Sequence, residues 1–382
     1  MLAVIRHGAA VVVAALTIAA AANAQSLSPA QQRIVVAEKA LGSNKTVDGY
    51  NELALAFARR ARETADGTNY DRADEAIDAS LKLSPDNLEA LKMRAWVLLG
   101  RHEFARALEL AVALNKRNAD DLLIYGFLTD ANAELGRYKE AEDACQWMLD
   151  LRPGNIPALT RAAYLRELFG DIEGAVELMN AAYDRTPPSE IEDRAWILTQ
   201  IGHLAIIAGR IDDAERVLTD ALALFPDYHY ALANLAKVRS AQKRHGDAVT
   251  LLRRRYDAAP HPENLYELAE ALTRAGRSSE ATTAYRDFET KAKAESAGVD
   301  NANRELVFYY ADRAKRPAEA LQIAELEIGR RQDVYTQAAY AWALHANGRA
   351  REAREQIERA LAVGVRDPEV LARASAITKD RR

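Results

Sequence analysis

One short pattern recurs along this chain at a spacing of 34 residues, and that spacing constrains the fold more than any other feature. Its clearest copy lies between Leu135 and Pro153. Gly136 separates two apolar helical patterns, Ala141 lies near the start of the second, and Pro153 follows it. Glycine favours a turn, and proline ends a helix because it cannot donate the backbone hydrogen bond of a helix interior. Each copy therefore predicts a hairpin of two helices.

The same residue types occupy fixed positions in four consecutive units, near 54–87, 88–121, 122–155 and 156–189. Small residues at positions 8 and 20 would let the two helices of a hairpin approach closely, and a bulky residue at position 17 would fill the space beside them. Position 8 is Ala61, Ala95, Thr129 and Ala163, position 17 is Tyr70, Phe104, Tyr138 and Ile172, and position 20 is Ala73, Ala107, Ala141 and Ala175.

The register is interrupted once and then resumes. Pro187 and Pro188, followed by the acidic residues Glu190, Glu192 and Asp193, predict a break over 190–194. Three units then cover 195–295, and two more cover 296–367, of which the one over about 301–333 is the weaker. The residues 25–53 are expected to form an N-terminal helix followed by a loop over 42–49, and 368–382 a C-terminal capping helix and tail.

Residues 1–24 have the anatomy of a secretory signal peptide. Arg6 and His7 precede an apolar run of about 14 residues, which is shorter than the roughly 20 that a spanning helix needs. The run ends in the small-x-small pattern Ala22-Asn23-Ala24, which is typical of a cleavage site. We therefore expect an exported, periplasmic protein with no stable membrane span after cleavage. An uncleaved anchor is the alternative.

Composition and motifs argue against catalysis. Alanine, leucine, arginine and glutamate favour helices, and the net charge of −5 is a poor match to nucleic acid, which requires a basic face. The chain has no Gly-rich phosphate loop, no His-Glu-x-x-His and no Gly-x-Ser-x-Gly pattern. The single cysteine, Cys145, falls on an apolar helix face and is expected to be buried. We expect no enzyme, no cofactor and no metal.

The alanine, bulky and proline positions together resemble the tetratricopeptide repeat, over nearly all of the chain after the leader. The last unit, with Asp333-Val334-Tyr335-Thr336, Ala341-Trp342 and Gly348-Arg349, is also similar to the final repeats of exported bacterial members of that family. The resemblance implies an all-α fold: a right-handed α-solenoid of about nine helix hairpins with capping helices at both ends. It also implies a concave groove, lined by the first helix of each hairpin, in which partners bind.

The repeat positions that would face this groove give the candidate binding residues. Their aromatic and basic side chains would supply contact area to an extended or helical peptide. The alternative is that many of the aromatic residues pack between neighbouring repeats. The candidates are Arg59, Arg62, Lys92, Trp96, Phe127, Arg161, Tyr164, Trp196, His203, Tyr230, Asn234, Lys237 and Tyr266.

The sequence thus favours a non-catalytic scaffold of the cell envelope that binds a partner protein or peptide. A second hypothesis is an assembly or secretion factor for envelope polysaccharide or pilus machinery, and a third is an enzyme or metal protein with a site between repeats. The sequence identifies no partner, and it leaves the oligomeric state open.

Overall fold

The computed structural model describes residues 27–379, and the predicted leader at 1–24 lies outside them. The described residues form twenty α-helices and one short π-helical segment, without strands. Helix α1, Pro29–Ser43, begins with a capping box in which Ser28 and Gln31 satisfy each other's backbone amides. Helix α20, Pro368–Lys379, packs on the last hairpin at the other end.

Nine antiparallel hairpins lie between these two helices in the described part of the chain, each packed on the next. Their helices are α2 Val47–Thr64 and α3 Thr68–Leu83; α4 Leu88–Gly100 and α5 Phe104–Arg117; α6 Leu122–Glu134 and α7 Tyr138–Leu151; α8 Ile156–Leu168 and α9 Ile172–Arg185; α10 Ile191–Ile207 and α11 Ile211–Leu224; α12 His229–Ala241 and α13 His245–Ala258; α14 Pro262–Arg274 and α15 Ser278–Glu295; α16 Asn303–Phe308 and α17 Pro317–Ile328; and α18 Val334–Ala346 and α19 Ala350–Ala362.

The predicted helix contacts account for this architecture. The alanine at position 20 is at most 4% exposed in every hairpin, which lets the paired helices approach closely. Gly136, in the turn between α6 and α7, has φ +71°, and the amide of Arg137 reaches back to the carbonyl of Asn132 at 2.8 Å. This left-handed turn ends α6 without leaving its last carbonyls unpaired. The all-α solenoid is therefore confirmed.

Two local expectations were wrong, and one further feature was not predicted. The loop predicted over 42–49 is only three residues long, because Gly42 lies inside α1 and Thr46 caps α2, its hydroxyl accepting the Gly49 amide at 3.1 Å. The predicted break at 190–194 is mostly helix, since α10 begins at Ile191. In the eighth hairpin the first helix is α16 followed directly by the π-helical segment Tyr309–Arg313.

The solenoid curls until distant hairpins touch. The amide of Gln332 donates to the carbonyl of Glu134 at 3.2 Å, and the amide of Val334 donates to the hydroxyl of Tyr138 at 2.9 Å. Buried residues of α6 to α8 form one apolar cluster with residues of α18 to α20. The third and fourth hairpins therefore contact the ninth, about 200 residues later in the chain.

Candidate functional site

The concave face of the first hairpin is joined to the fifth by ion pairs. Arg59 on α2 binds Glu190 at 3.1 Å, and Arg62 binds both Glu192 and Asp193 at the start of α10. Burial is the largest single influence on the Arg62 guanidinium and by itself would lower its pKa, but Glu192, Tyr228 and Asp193 together outweigh it and the pKa is raised. Two predicted groove residues thus bind the chain itself rather than facing an open groove.

The sixth hairpin closes around the same contact. The Tyr228 hydroxyl donates to Glu192 at 2.6 Å, and the His229 imidazole bonds the backbone carbonyl of Arg62 at 3.1 Å. That carbonyl can only accept, so the bonded ring nitrogen, Nε2, carries the proton. Burial lowers the pKa of His229 to about 4, so the imidazole is neutral near pH 7. Tyr230 lies against this ring, with the ring centroids 3.9 Å apart.

A second connection joins the third hairpin to the segment before the ninth. Arg331 pairs with Glu134 at the end of α6 and with Asp333 at 2.7 Å, and its guanidinium lies 5.1 Å from the Phe104 ring centroid. The predicted residue Tyr164 contacts Glu134 through its hydroxyl at 3.4 Å. Burial raises the pKa of the Glu134 carboxyl to about 7.

Two further candidate residues form hydrogen bonds or ion pairs with the neighbouring hairpin. Arg161 bonds Asp130 at 2.6 Å and the carbonyl of Gly126 at 3.1 Å. His203 contacts Glu167 at 3.0 Å.

Lys92 also bonds the neighbouring hairpin, whereas Asn234 bonds within its own helix. Lys92 is 7% exposed and pairs with Asp121 at 2.8 Å, and the Asn234 amide donates to the carbonyl of Tyr230 at 3.0 Å.

The remaining predicted residues divide between the packed interior and the surface. Phe127 is 1% exposed and belongs to an apolar cluster, so it does not line a groove. Three aromatic residues are half-buried and pack against such clusters: Trp96, Trp196 and Tyr266. Lys237 is exposed. The sequence alternative of packing between repeats describes most of these aromatic residues.

Most of the candidate binding residues therefore contact other parts of the chain instead of lining an open groove. Their main partners, Glu190, Glu192, Asp193 and Arg331, were not among the candidates. For the three acidic partners, the sequence did contain a signal, namely the acidic run after Pro188. Carboxylates that have no cation nearby in sequence need one from another part of the fold when they are buried. No local pattern indicated that the cations would come from α2.

An open apolar cleft lies between α5 and α7, with α6 as its floor. Leu108, Val112, Tyr125, Leu128 and Trp147 line it, and we call these residues the outer cleft. It contains two adjoining hollows of about 370 and 610 Å³. On α6 the cleft-lining residues Leu128 and Asn132 each lie two positions before Asp130 and Glu134, which pair with Arg161 and Arg331. Two positions correspond to about 200° around the helix. The outer cleft therefore opens on the side away from the concave face.

The walls of the outer cleft combine an aromatic pair with free charges. The Tyr125 and Trp147 rings stack with centroids 3.7 Å apart and planes 9° apart. Val112 is 41% exposed. Among residues 27–379, four charged residues around the cleft form no ion pair with one another or with other side chains: Glu109, Lys116, Arg137 and Glu140. These features are those of a protein-contact surface with an apolar centre and a polar rim.

Other kinds of site find no support in residues 27–379. There, no group of three or more His, Cys, Asp or Glu side chains is arranged to hold a metal ion. No helix in that range combines the length and the apolarity needed to cross a membrane. Cys145 is 3% exposed, and burial raises the pKa of its thiol to about 11, so it is not a reactive thiolate at neutral pH.

The nine stacked helix hairpins over residues 47–362 define the molecule as a helical-repeat α-solenoid. Comparison with known proteins assigns the repeat. Models of the tetratricopeptide repeat match residues 92–156 and 205–263. These two segments make up about a third of the chain, and over them the chain is similar to tetratricopeptide repeat proteins.

One relative and two solved structures illustrate the similarity. The TPR repeat-containing protein MJ1428 of Methanocaldococcus jannaschii is 29% identical over 158 residues, which is 40% of this chain and 26% of that protein, so the match spans about a quarter of that relative. The chain is also similar to a structure of the APC/C hetero-tetramer Cut9-Hcn1 (TM-score 0.51, 13% identity, 89% of this chain and 58% of that one). A structure of the human IFIT1 dimer with PPP-AAAA gives TM-score 0.53, 13% identity, and coverage of 88% and 95%. At such identities the two structures show the shared fold alone.

Proposed function

We propose that this chain is a non-catalytic protein-interaction scaffold of the cell envelope, exported to the periplasm, and that it binds a partner protein or peptide. Tetratricopeptide repeats imply a protein-interaction scaffold in general terms. The single observation that carries the proposal is the outer cleft, which combines stacked aromatic rings, exposed Val112 and unpaired rim charges. Large aromatic surfaces at the centre of a contact contribute most to protein affinity.

The outer cleft is favoured over the concave face because side chains of the protein itself already fill the concave face. Its arginines already pair with carboxylates of distant hairpins, as Arg62 does with Glu192. A peptide in the groove would have to displace these buried pairs, which is costly when either charge is left without a partner. The same pairing, with the net charge of −5, favours a protein over a nucleic acid as the partner.

Site-specific photo-crosslinking in the native envelope tests the proposal. A photoreactive residue in place of Val112 should give defined crosslinked proteins, whereas the same residue in place of Leu326, which is 40% exposed on α17, should not. Fractionation of the same cells would show whether the protein is periplasmic. Equal crosslinking from both positions, or none from Val112, would argue against the outer cleft as the binding surface.

A further inference from the structure

Helix α1 presents an apolar stripe to solvent at the beginning of the solenoid. Val35 is 51% and Val36 is 69% exposed, and they lie between the exposed Gln32 and Lys39 at the i, i+3, i+4, i+7 spacing of one helix face. The opposite face of α1 packs on α2 through buried residues that include Ala37. The helix is therefore apolar on two sides, and the described residues 27–379 cover only one of them.

This exposure is unusual for the position. A terminal helix of a repeat array normally presents a polar outer face, because it ends the stack and meets water. Valine also has a lower helix propensity than the straight-chain residues that suit an exposed helix position. Neither packing among residues 27–379 nor helix formation accounts for two adjacent exposed valines there, whereas an intermolecular contact would.

Helix α1 is held too firmly to turn toward the cleft of its own chain. The hydroxyl of Ser28 donates to Glu63 at 2.5 Å, and the amide of Ala30 donates to the same carboxylate at 3.0 Å. Arg33 pairs with Glu190 at 3.0 Å. These bonds fix α1 against α2 and the start of α10, whereas the outer cleft lies between the second and third hairpins.

From these observations we propose that the outer cleft of one chain receives the α1 stripe of a second copy. The inference rests on the proposed function in one respect, namely that the outer cleft is a protein-contact surface. The sizes agree: the 15 residues of α1 span about 22 Å, and α5 between the cleft-lining residues Ala105 and Lys116 spans about 17 Å. The stripe is convex and the cleft is concave, so the two surfaces suit each other in shape.

The charges around the two surfaces also match. Glu38 and Lys39 flank the stripe and are exposed, with no ion pair to other described residues. The cleft rim offers an unpaired charge of each sign on each side: Glu109 and Lys116 on α5, and Glu140 and Arg137 at the α7 side. A docked stripe can therefore place each of its charges near an opposite one, which favours this occupant over a uniformly acidic or basic peptide.

Because the two surfaces differ, the contact is heterologous: each chain offers a stripe to one neighbour and a cleft to another. Such a contact produces rings or open chains of copies rather than a closed pair. One helix face is smaller than the roughly 800 Å² per partner of a stable interface. The association is therefore expected to be weak and to depend on concentration in the micromolar range or above.

Sedimentation velocity of the folded chain tests the proposal through two surface variants. The wild type should increase in mass with concentration. Val36→Asp, which removes the stripe, and Val112→Asp, which removes the cleft, should each weaken self-association at least tenfold. Leu326→Asp is the matched control, because it places the same charge at an exposed apolar position outside both surfaces. Val36→Ser is a milder second variant, and circular dichroism verifies that each variant is folded.

Mixing the two variants gives the sharpest result. Val36→Asp retains a cleft and Val112→Asp retains a stripe, so an equimolar mixture should form a 1:1 pair and nothing larger. A wild type that stays monomeric at all concentrations, self-association that survives Val36→Asp, or a mixture that stays monomeric would each overturn the proposal. If self-association fails while Val112 still crosslinks to a different envelope protein, the proposed function stands and this inference does not.

Discussion

Gly136 shows at the scale of one residue how a repeat position acquires a second role. Its φ of +71° is shared by Gly276, which ends the first helix of the seventh hairpin at φ +73°. The surroundings differ: a Cβ at Gly136 would lie 2.6 Å from the backbone carbonyl of Gln332, whereas a Cβ at Gly276 would meet nothing within 4 Å. A comparison of the two glycines therefore separates the energetic cost of the left-handed turn from the contribution of the contact between distant hairpins.

Substitution of these glycines by alanine should measure that contact. Both variants incur the cost of a left-handed alanine, about 1 kcal/mol or slightly more. Gly136→Ala should destabilise the protein by roughly 1–3 kcal/mol beyond Gly276→Ala, because the backbone near Gln332 must move. Thermal and urea unfolding of the two variants would show the difference. Equal losses would mean that the approach of Gln332 to Gly136 contributes nothing to stability.

His229 predicts a pH dependence of stability. Its pKa is lowered from 6.5 to about 4 by burial, among Arg62, Arg255, Glu263 and His261. Between these pH values the unfolded chain binds a proton at this site and the folded chain does not, so stability is complete above pH 6.5 and falls as the pH drops toward 4. The shift corresponds to at most about 3 kcal/mol.

The substitution His229→Gln should therefore flatten the profile of unfolding midpoint against pH between 4 and 6.5, while the amide can still donate to the Arg62 carbonyl. Carboxylates that titrate in the same range affect both proteins alike, so the difference between the two profiles isolates His229. Parallel profiles across that range would contradict the assignment.

At the scale of helices, the sequence predicted what depends on neighbours in the chain. The position-20 alanines and the turn at Gly136 are local, and each lies where the pattern placed it. The predicted loop over 42–49 was wrong because Gly42 and Gly49 both lie in helices, although glycine by itself favours a turn or loop. The π-helical segment Tyr309–Arg313 left no local signal.

The contact between α2 and α10 leads to a prediction at the same scale. Glu192 is 6% exposed, and among residues 27–379 its carboxylate is bound by Arg62 and Tyr228 alone. Arg62→Met keeps the length of the side chain and removes its charge, so it should destabilise the fold by about 3 kcal/mol by leaving a buried carboxylate with one donor. Arg253→Met is the matched control, because the Arg253–Glu280 pair is nearly half exposed on both sides and should contribute at most about 1 kcal/mol.

Chemical denaturation of both variants gives the comparison. A loss in Arg62→Met no greater than that in Arg253→Met would show that the α2–α10 contact forms without contributing to stability.

At the scale of the whole molecule, the candidate groove illustrates the limit of sequence reasoning. The repeat register correctly placed Arg62, Tyr164 and His203 on first helices, and the family pattern implied an open concave face. How far the solenoid curls depends on small rotations that add up over nine hairpins, and no single repeat encodes their sum. The curl brings Glu192 to Arg62 and Arg331 to Glu134, so residues predicted to meet a partner instead hold the molecule together.

This closure predicts coupling between segments that an open solenoid would keep independent. In an open array each repeat responds only to its neighbours, whereas here Arg331 joins the end of the eighth hairpin to the second and third. Arg331→Ala should therefore speed amide exchange at residues 102–104 and 134–138, about 200 residues earlier in the chain. Arg349→Ala is the matched control, since the pairs of Arg349 with Glu325 and Glu352 stay within the eighth and ninth hairpins. Hydrogen exchange followed by mass spectrometry resolves both segments. If exchange became faster only within 317–379 in both variants, the distant hairpins would touch without stabilising one another. The ion pairs across the concave face would then not prevent a partner from binding there.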